Sequence, residues 1–341
     1  MSAKITLFMK RALITGINGQ DGSYLAELLL EKGYAVSGII KRNSITESQF
    51  SRIDHIREQL NLIYADITDL SSLTHVVKEV QPDEVYNLAA QSHVRVSFDQ
   101  PLLTATTTGL GPLNVLEAVR LYKPDAKVYQ ASSSEMFGNS TDPDGFQREE
   151  TPLHPASPYA CAKVFAYNIS RNYRKSYGMF ASNGILFNHE SPRRGTNFVT
   201  NKICKEAVRI KLGQTDQLQL GNLASRRDWG HAKDYVRAMW MMLQLDEPGD
   251  YVCATGIAHS VQDVVEHVFI KLGLEWKEHV RFDERLLRPE EVEGLRGDSS
   301  KLRTATGWEP QYTFETLLDE MVEYWVSEIA SGEKVMSTNP K

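Results

Sequence analysis

The chain has 341 residues, of which 41% are hydrophobic and 24% charged, so it can bury a large core as one α/β domain or as two lobes. Its formal net charge of −6 argues against general nucleic-acid binding, and no apolar run approaches the length of a membrane span. The cysteines Cys161, Cys204 and Cys253 are odd in number and far apart, which indicates reduced thiols rather than disulfides; neither they nor the histidines have ligand spacing, so we expect no metal.

The N-terminal segment combines a strand, a glycine-rich turn and a helix. Arg11–Thr15 predicts a short buried strand, and Gly16-Ile-Asn-Gly-Gln-Asp-Gly22 leads from it into an amphipathic helix at about 23–32. Glycines let such a turn tighten and bring the backbone close to a pyrophosphate, which then faces the helix N-terminus. The sequence therefore predicts a dinucleotide site at this turn.

The second predicted strand, Ala35–Ile40, is followed by two cations, Lys41 and Arg42. An enzyme that binds NAD would carry an acidic residue here for the ribose hydroxyl, whereas cations suit a 2′-phosphate. We therefore predict NADP as the cofactor, with a basic surface loop as the alternative interpretation.

Strands and helices continue to alternate along the chain. Predicted strands at 62–65, 84–88, 127–130 and 180–186 are separated by helices at 71–80, 102–121 (with Pro112 as a possible kink) and about 159–177. This order predicts an α/β fold, a Rossmann-type doubly wound parallel sheet with a smaller C-terminal substrate-binding lobe. Ligands bind beyond the carboxyl ends of such strands, so Asp66, Ala89-Ala90-Gln91 and the residues 132–135 are expected to converge there.

Four residues carry candidate chemistry: Ser133, Glu135, Tyr159 and Lys163. Tyr159 and Lys163 are four residues apart on a predicted helix and share one face, where an ammonium would favour the phenolate and lower the pKa of the phenol. Ser133 can bind the same substrate oxygen, so the trio can take a proton from an alcohol while hydride leaves its carbon. Glu135 adds a second base, which indicates two proton abstractions rather than simple oxidation.

Beyond Phe187 the pattern becomes irregular, with helices predicted at 200–212 and 261–272. Three predicted loops carry arginines: Arg194 with its neighbour in 188–195, Arg227 in 221–230 and Arg288 in 287–292. Guanidinium groups suit diphosphates, so these loops favour a nucleotide-linked substrate, with solvated surface arginines as the alternative. We assign residues 10–187 and 226–275 to an NADP-binding Rossmann domain, and residues 188–225 and 276–330 to a nucleotide-sugar-binding lobe.

Longer motifs resemble the extended short-chain dehydrogenase/reductase family and, within it, the GDP-mannose 4,6-dehydratases. They are Gly-Gln-Asp-Gly-Ser-Tyr-Leu-Ala at 19–26, Gln-Pro-Asp-Glu-Val-Tyr-Asn-Leu at 81–88, Ser-Glu-Met-Phe-Gly at 134–138, Gly-Ile-Leu-Phe-Asn-His-Glu-Ser-Pro-Arg at 184–193 and Arg-Asp-Trp-Gly-His-Ala-Lys-Asp-Tyr at 227–235. The resemblance runs from about Lys10 to Trp325. One departure is Ser133, where the family commonly has threonine; both residues carry the hydroxyl.

The resemblance implies a set of cofactor and substrate contacts. Together with the glycine turn and the Lys41–Arg42 pair, the expected NADP-binding residues are Gly16, Asn18, Gly19, Gln20, Asp21, Gly22, Lys41, Arg42, Asp66, Ile67, Leu88, Ala89, Ala90, Gln91, Ser92, Tyr159, Lys163, His189 and Arg194. The expected substrate-binding residues are Ser92, Glu135, Asn188, Lys202, Arg227, Arg288 and Glu291.

The activity that the resemblance implies converts GDP-mannose to GDP-4-keto-6-deoxymannose by C4 oxidation, loss of water across C5 and C6, and hydride return to C6. Four alternatives stay open: a GDP-manno-heptose dehydratase, a nucleotide-sugar epimerase with no need of Glu135, an NADPH-consuming reductase, and a non-catalytic NADP sensor. We expect a cytoplasmic homodimer or homotetramer without nucleic-acid or membrane partners. The segment before Met9 is too short for a signal peptide, and Met9 is an alternative start.

Overall fold

The computed structural model describes residues 9–42 and 51–331, so the predicted extension before Met9 lies outside the described residues. The strands are β1 (Arg11–Thr15), β2 (Ala35–Ile40), β3 (Asn61–Tyr64), β4 (Glu84–Asn87), β5 (Lys127–Ser133), β6 (Ala181–Leu186), β7 (Asn188–Glu190), β8 (Leu218–Leu220), β9 (Arg226–His231), β10 (Asp250–Cys253), β11 (Ala258–Ser260) and β12 (Val280–Phe282). The α-helices are α1 (Gln20–Glu31), α2 (Leu70–Val80), α3 (Val94–Asp99), α4 (Pro101–Thr104), α5 (Gly111–Tyr122), α6 (Pro158–Tyr177), α7 (Val199–Lys211), α8 (Ala232–Gln244), α9 (Val261–Lys271), α10 (Trp276–His279), α11 (Ser300–Thr306) and α12 (Phe314–Ala330).

A seven-stranded sheet organises the chain, in the order β10-β6-β5-β4-β1-β2-β3. Every neighbouring pair in it is parallel. The chain runs outward from β1 to β3, then returns to the other side of β1 and runs outward again from β4. The strand order therefore reverses between β1 and β4, and a crevice opens there beyond the strand ends.

Helices cover both faces of this sheet, and most residues of its strands other than β3 are buried. One core packs α1 and α8 against the sheet and includes Leu25, Met239 and Trp308. The core on the opposite face packs α2, α5 and α6 and includes Val77 and Val119. The sequence prediction of a doubly wound Rossmann-type sheet is thus confirmed.

A separate core joins α7, α9 and α12 around residues such as Ile203, Val264 and Met321. Beside it lie a three-stranded sheet, β11-β9-β7, and the strand pair β12-β8. We keep the two-part division of the chain as a proposal. Helix α9, in the segment 226–275 that we assigned to the Rossmann domain, packs with α7 and α12, so the proposed boundary of that segment moves to the start of α9.

Most of the predicted elements of the main sheet are observed within two or three residues of their expected ends. The helix predicted at 102–121 is interrupted by a π-helical segment, Ala105–Leu110, directly before Pro112, whose ring removes a backbone donor from the helix. Two predictions were wrong: residues 188–190 and 226–231 are strands β7 and β9 rather than loops. They were missed because their sequences are polar, and they form strands by pairing with each other.

Candidate active site

The glycine turn between β1 and α1 packs closely against the chain that follows β4, at the crevice. Gly16 has φ +70°, and a Cβ atom on it would lie 3.1 Å from the Cα of Ala89, beyond β4. A Cβ on Gly22 would lie 2.3 Å from the carbonyl oxygen of Gly16, so only glycine fits there. Gly19 caps α1 without a side-chain hydrogen bond, which leaves the amides of the helix N-terminus facing the crevice.

At the ends of β2 and β3, Lys41 and Asp66 form an ion pair with 2.9 Å between Nζ and Oδ2. The same carboxylate accepts hydrogen bonds from the amide and the hydroxyl of Thr68. Burial opposes ionisation, but these hydrogen bonds and Lys41 lower the pKa of Asp66. Lys41 lines the cleft, whereas Arg42 is exposed and lies outside the lining.

The four candidate catalytic residues meet in one place. Ser133 ends β5, Glu135 lies in the following turn, and Tyr159 and Lys163 lie on α6. All four are buried to 8% exposure or less and line the same cleft. The hydroxyl of Ser133 accepts a hydrogen bond from the amide of Glu135, 3.2 Å away, which fixes the start of the turn.

Tyr159 and Lys163 depart from the expected pKa pattern. Burial raises the pKa of Tyr159 to about 12, with a smaller lowering from the Ser133 hydrogen bond. Burial likewise lowers the pKa of Lys163 to about 8, and its ammonium donates to the carbonyl of Ala131 at 2.7 Å rather than to the phenol. The prediction of a lowered phenol pKa was therefore wrong for the protein without ligands, because burial outweighs a cation 5.8 Å from the ring centroid.

Charged side chains surround the second candidate base. Arg288 Nη1 lies 3.3 Å from Glu135 Oε1. Arg227 is 6% exposed, donates to the carbonyl of Arg226, and has its pKa lowered by burial, with Glu135 opposing that change. Asp228 does not pair with Arg227, because its carboxylate accepts instead from residues 255, 256 and 297.

His189 joins the end of β6 to the glycine turn. Its Nδ1 lies 2.7 Å from the carbonyl oxygen of Phe187 and its Nε2 lies 2.8 Å from Asp21 Oδ2. Both neighbours are acceptors, which favours a ring with hydrogen on both nitrogens; burial opposes this, but Asp21 raises the pKa of His189. Burial alone would raise the pKa of Asp21, but His189 and further hydrogen bonds hold it at about 2.

Two more predicted cations lie at the far side of the cleft. Arg194 pairs with the buried Glu190, 3.2 Å from Nε to Oε2, and its guanidinium carbon lies 3.6 Å from the ring centroid of Phe198. Lys202 Nζ donates to the carbonyl of Gln219 at 2.7 Å. Both side chains are thereby held at the wall of the cleft.

The cleft encloses about 770 Å³ and brings most of the predicted site residues together. Its walls include Gly16, Asn18, Gly19, Gln20, Asp21, Gly22, Lys41, Asp66, Ile67, Leu88, Ala89, Ala90, Ser92, Ser133, Glu135, Tyr159, Lys163, Asn188, His189, Arg194, Lys202 and Arg288. Arg42, Gln91, Arg227 and Glu291 lie outside this lining. Gln91 uses its amide within its own loop, bonding His93 and Thr104, and Glu291 accepts from the amide of Arg288.

Sequence reasoning missed several cleft residues, among them His93, Arg95, Asn197, Phe198 and Arg285. The one available signal was the spacing of Arg194 and Phe198, which a turn before α7 brings into contact. Within residues 9–42 and 51–331, no group of three or more metal-binding side chains is placed to hold a metal ion. In the same residues, no helix has the length and apolar character needed to cross a bilayer.

A glycine turn at a helix N-terminus, a topological switch point and a Ser-Tyr-Lys trio in one cleft define the class: an enzyme with the short-chain dehydrogenase/reductase fold. A sequence model described as GDP-mannose 4,6 dehydratase matches residues 13–321. The chain therefore belongs to the GDP-mannose 4,6-dehydratase family.

Individual relatives agree with this assignment. GDP-mannose 4,6 dehydratase 2 of Arabidopsis thaliana is 52% identical over 96% of this chain and 89% of its own length. The human GDP-mannose 4,6 dehydratase is 47% identical over 96% of this chain and 93% of its own length. Among solved structures, a dTDP-glucose 4,6-dehydratase of Bacillus anthracis in complex with NAD superposes with a TM-score of 0.81 at 25% identity, covering 94% of this chain and 98% of that one.

Proposed function

We propose that this chain is an NADP-dependent GDP-mannose 4,6-dehydratase, a hydro-lyase that forms GDP-4-keto-6-deoxymannose. The observation that carries the proposal is the position of Glu135, which lies in the cleft with Ser133, Tyr159 and Lys163. An alcohol oxidation alone needs one base. A carboxylate that lies in the same cleft as the first base, Tyr159, supports an elimination that follows the oxidation.

The glycine turn fits a dinucleotide. A Cβ atom on Gly16 or Gly22 would crowd neighbouring backbone atoms, so the turn is as tight as close approach to a pyrophosphate requires, and α1 begins without a side-chain cap. The turn and α1 would hold the pyrophosphate. Lys41, which follows β2 and lines the cleft, supports NADP over NAD through a 2′-phosphate contact in which Arg42 would also take part. Leu88, Ala89, Ala90, Gln91, Ser92, His189 and Arg194 would complete this site. When bound, the cofactor accepts the hydride from sugar C4 and returns it at C6.

The side chains of the trio move the protons of the oxidation. Tyr159 as phenolate takes the proton of the sugar 4-hydroxyl, and Ser133 shares the hydrogen bond to that oxygen. Burial raises the pKa of Tyr159 to about 12, and Lys163, with its ammonium 5.8 Å from the ring centroid, would stabilise the phenolate once substrate and cofactor are bound.

Glu135 carries the elimination. The ketone at C4 acidifies the C5 proton, and Glu135 removes it and delivers a proton to the departing 6-hydroxyl, so that water is lost. Tyr159 then gives the proton that it took from the 4-hydroxyl to C5, as hydride returns to C6. Asn188, Lys202, Arg227, Arg288 and Glu291 would bind the GDP-sugar, with the arginines directed at its diphosphate.

Two properties of the assembly belong to the same proposal. We propose a homodimer or homotetramer, supported by exposed apolar side chains on the packed helices α4, α5 and α6, among them Leu102 at 82% and Tyr177 at 54% exposure. We also propose a cytosolic location, which the three free cysteines support, since Cys161 is exposed and unpaired with another cysteine.

Incubation of the purified chain with GDP-mannose and no added cofactor tests the function. A dehydratase that retains its cofactor forms the 4-keto-6-deoxy product without net NADPH change. An epimerase would release a 4-epimer, a reductase would require NADPH in proportion to product, and a cofactor sensor would form nothing. A parallel assay with the GDP-manno-heptose analogue compares kcat/KM and decides between hexose and heptose.

A further inference from the structure

The second candidate base is paired with a cation. Arg288 Nη1 lies 3.3 Å from Glu135 Oε1, and the two side chains are 28% and 10% exposed. Both residues line the cleft. The guanidinium engages one oxygen of the carboxylate, so the pair holds Glu135 in one position until this partner leaves.

The side chain of Asn139 joins the turn that carries Glu135 to the loop that carries Arg288. Asn139, at the end of the turn that carries Glu135, donates to the carbonyl of Glu291 at 3.1 Å and accepts from the amide of Glu293 at 2.8 Å. The carboxylate of Glu291 accepts from the amide of Arg288 at 2.9 Å. The loop is therefore fixed beside the turn, and motion is left to the long Arg288 side chain.

Arg288 also has the chemistry for a second anion. Its guanidinium is planar and presents paired donors that match a diphosphate. Arg227, by contrast, is buried and bonded to the neighbouring carbonyl of Arg226. Of these two arginines, only Arg288 has a partly exposed side chain paired with a carboxylate, which it can exchange for a ligand.

We propose that Arg288 exchanges Glu135 for the diphosphate of the incoming GDP-sugar. The exchange rests on the proposed function. It releases Glu135 when substrate occupies the cleft and holds it paired when the cleft contains only solvent. Arg288 is thus a positioning residue that couples nucleotide binding to the availability of the base.

A double-mutant cycle on GDP affinity tests the exchange. GDP supplies the diphosphate without a reacting sugar, and calorimetry in saturating NADP measures its dissociation constant independently of turnover. Glu135→Gln should tighten GDP binding by about three- to tenfold, because Arg288 no longer has a charged competitor. Arg288→Gln should weaken binding by about tenfold or more. In the Arg288→Gln background, the Glu135→Gln change should have no further effect.

Equal tightening of GDP binding by Glu135→Gln in both backgrounds would overturn the exchange. It would mean that loss of the negative charge at Glu135 strengthens GDP binding without any part played by Arg288. Glu290→Gln, a change of the exposed carboxylate in the same loop, should not reproduce the tightening, and Arg285→Gln should not abolish it. Arg288→Lys, which retains a cation, should keep part of the coupling. If Arg288→Gln melts early, the test becomes whether Glu135→Gln tightens GDP binding less in the Arg288→Lys background than in the wild type. A chain that turns over GDP-mannose but shows no coupling refutes the exchange alone; a chain that does not bind GDP refutes the proposed function as well.

Discussion

Tyr159 and Lys163 lie on one face of α6. Burial disfavours the charged form of both, because it raises the pKa of Tyr159 and lowers the pKa of Lys163. The phenol has a pKa of about 12 and the ammonium a pKa of about 8, so the ligand-free site resists charge on both groups. The spacing in the sequence predicted their proximity but not this cost, because desolvation depends on what covers α6 in the folded chain. The candidate trio of Ser133, Tyr159 and Lys163 thus lies together in the cleft, in surroundings that disfavour the charged forms of Tyr159 and Lys163.

Glu135 is expected to be essential for turnover and dispensable for binding. Glu135→Gln keeps the shape of the side chain but cannot accept the C5 proton, so kcat should fall by about 10²–10⁴-fold. A single-turnover experiment that follows both reduced cofactor and water loss should show that oxidation at C4 persists while elimination stops. Near-parental release of water by this variant would remove Glu135 from the role of base.

Arg227 is predicted to bind the substrate diphosphate, which requires its guanidinium to turn from the carbonyl of Arg226 toward the cleft. A hydrogen bond from a guanidinium to a diphosphate contributes about 1.5–3 kcal/mol. Arg227→Ala should therefore raise the KM for GDP-mannose about ten- to a hundredfold and leave NADP affinity unchanged. Arg226→Ala, which removes the exposed neighbouring arginine, is the matched control. A large fall in melting temperature with an unchanged KM would instead assign Arg227 to the stability of β9.

At the scale of elements, the sequence predicted what depends on apolar runs and missed what depends on pairing. Six of the seven strands of the main sheet were predicted from short apolar runs that alternate with helices, whereas β10 (Asp250–Cys253) was missed. Strands β7 and β9 are polar, and no hydrophobic period marks them; they form because each provides the other with backbone partners. The cleft was predictable at the strand ends of the main sheet, whereas Phe198 and Arg285 reach it through loops of the C-terminal part.

The glycine turn gives a prediction at this scale. Gly22→Ala would place a Cβ 2.3 Å from the carbonyl oxygen of Gly16 and 2.6 Å from the Cα of Ile17, and backbone atoms cannot yield to it cheaply. We expect a loss of about 1–3 kcal/mol in the free energy of unfolding and a clear loss of NADP affinity. Gly294→Ala has open space at its Cβ and serves as control. Unchanged cofactor binding in Gly22→Ala would argue against a tight turn under the pyrophosphate.

At the scale of the whole molecule, the buried lysine affects stability against pH. Unfolding raises the pKa of Lys163 from about 8 to its ordinary 10.5, so between these values the unfolded chain binds more protons and stability rises with pH. The free energy of unfolding of the wild type relative to Lys163→Met should increase by about 2 kcal/mol from pH 8 to pH 10, measured by urea titration without cofactor. Tyr159 has the opposite effect at higher pH. Its pKa falls from about 12 to its ordinary 10 on unfolding, so its contribution lowers the free energy of unfolding as pH rises from 10 to 12. A flat difference over pH 8–10 would show that Lys163 is charged at little cost.

The proposed oligomer has its own test. Leu102→Asp together with Phe165→Asp would place charges on α4 and α6 within the exposed apolar group. Light scattering after size exclusion should give a multiple of 38.5 kDa for the wild type and a smaller mass for the variant. Ile270→Asp, at an equally exposed apolar position on α9, should leave the mass unchanged. A wild type that elutes as a monomer would refute the proposed assembly.

The pairing of β7 with β9 restricts how this enzyme can diverge. Asn188, His189 and Glu190 pair in sequence with residues 229–231, and successive side chains of a strand point to opposite faces. Losing or gaining one residue there would turn His189 away from Asp21 and reverse every neighbour at once. Descendants of this chain can therefore change the chemistry of these positions by substitution, but insertions and deletions should accumulate elsewhere, for example in the exposed loop around Gly145.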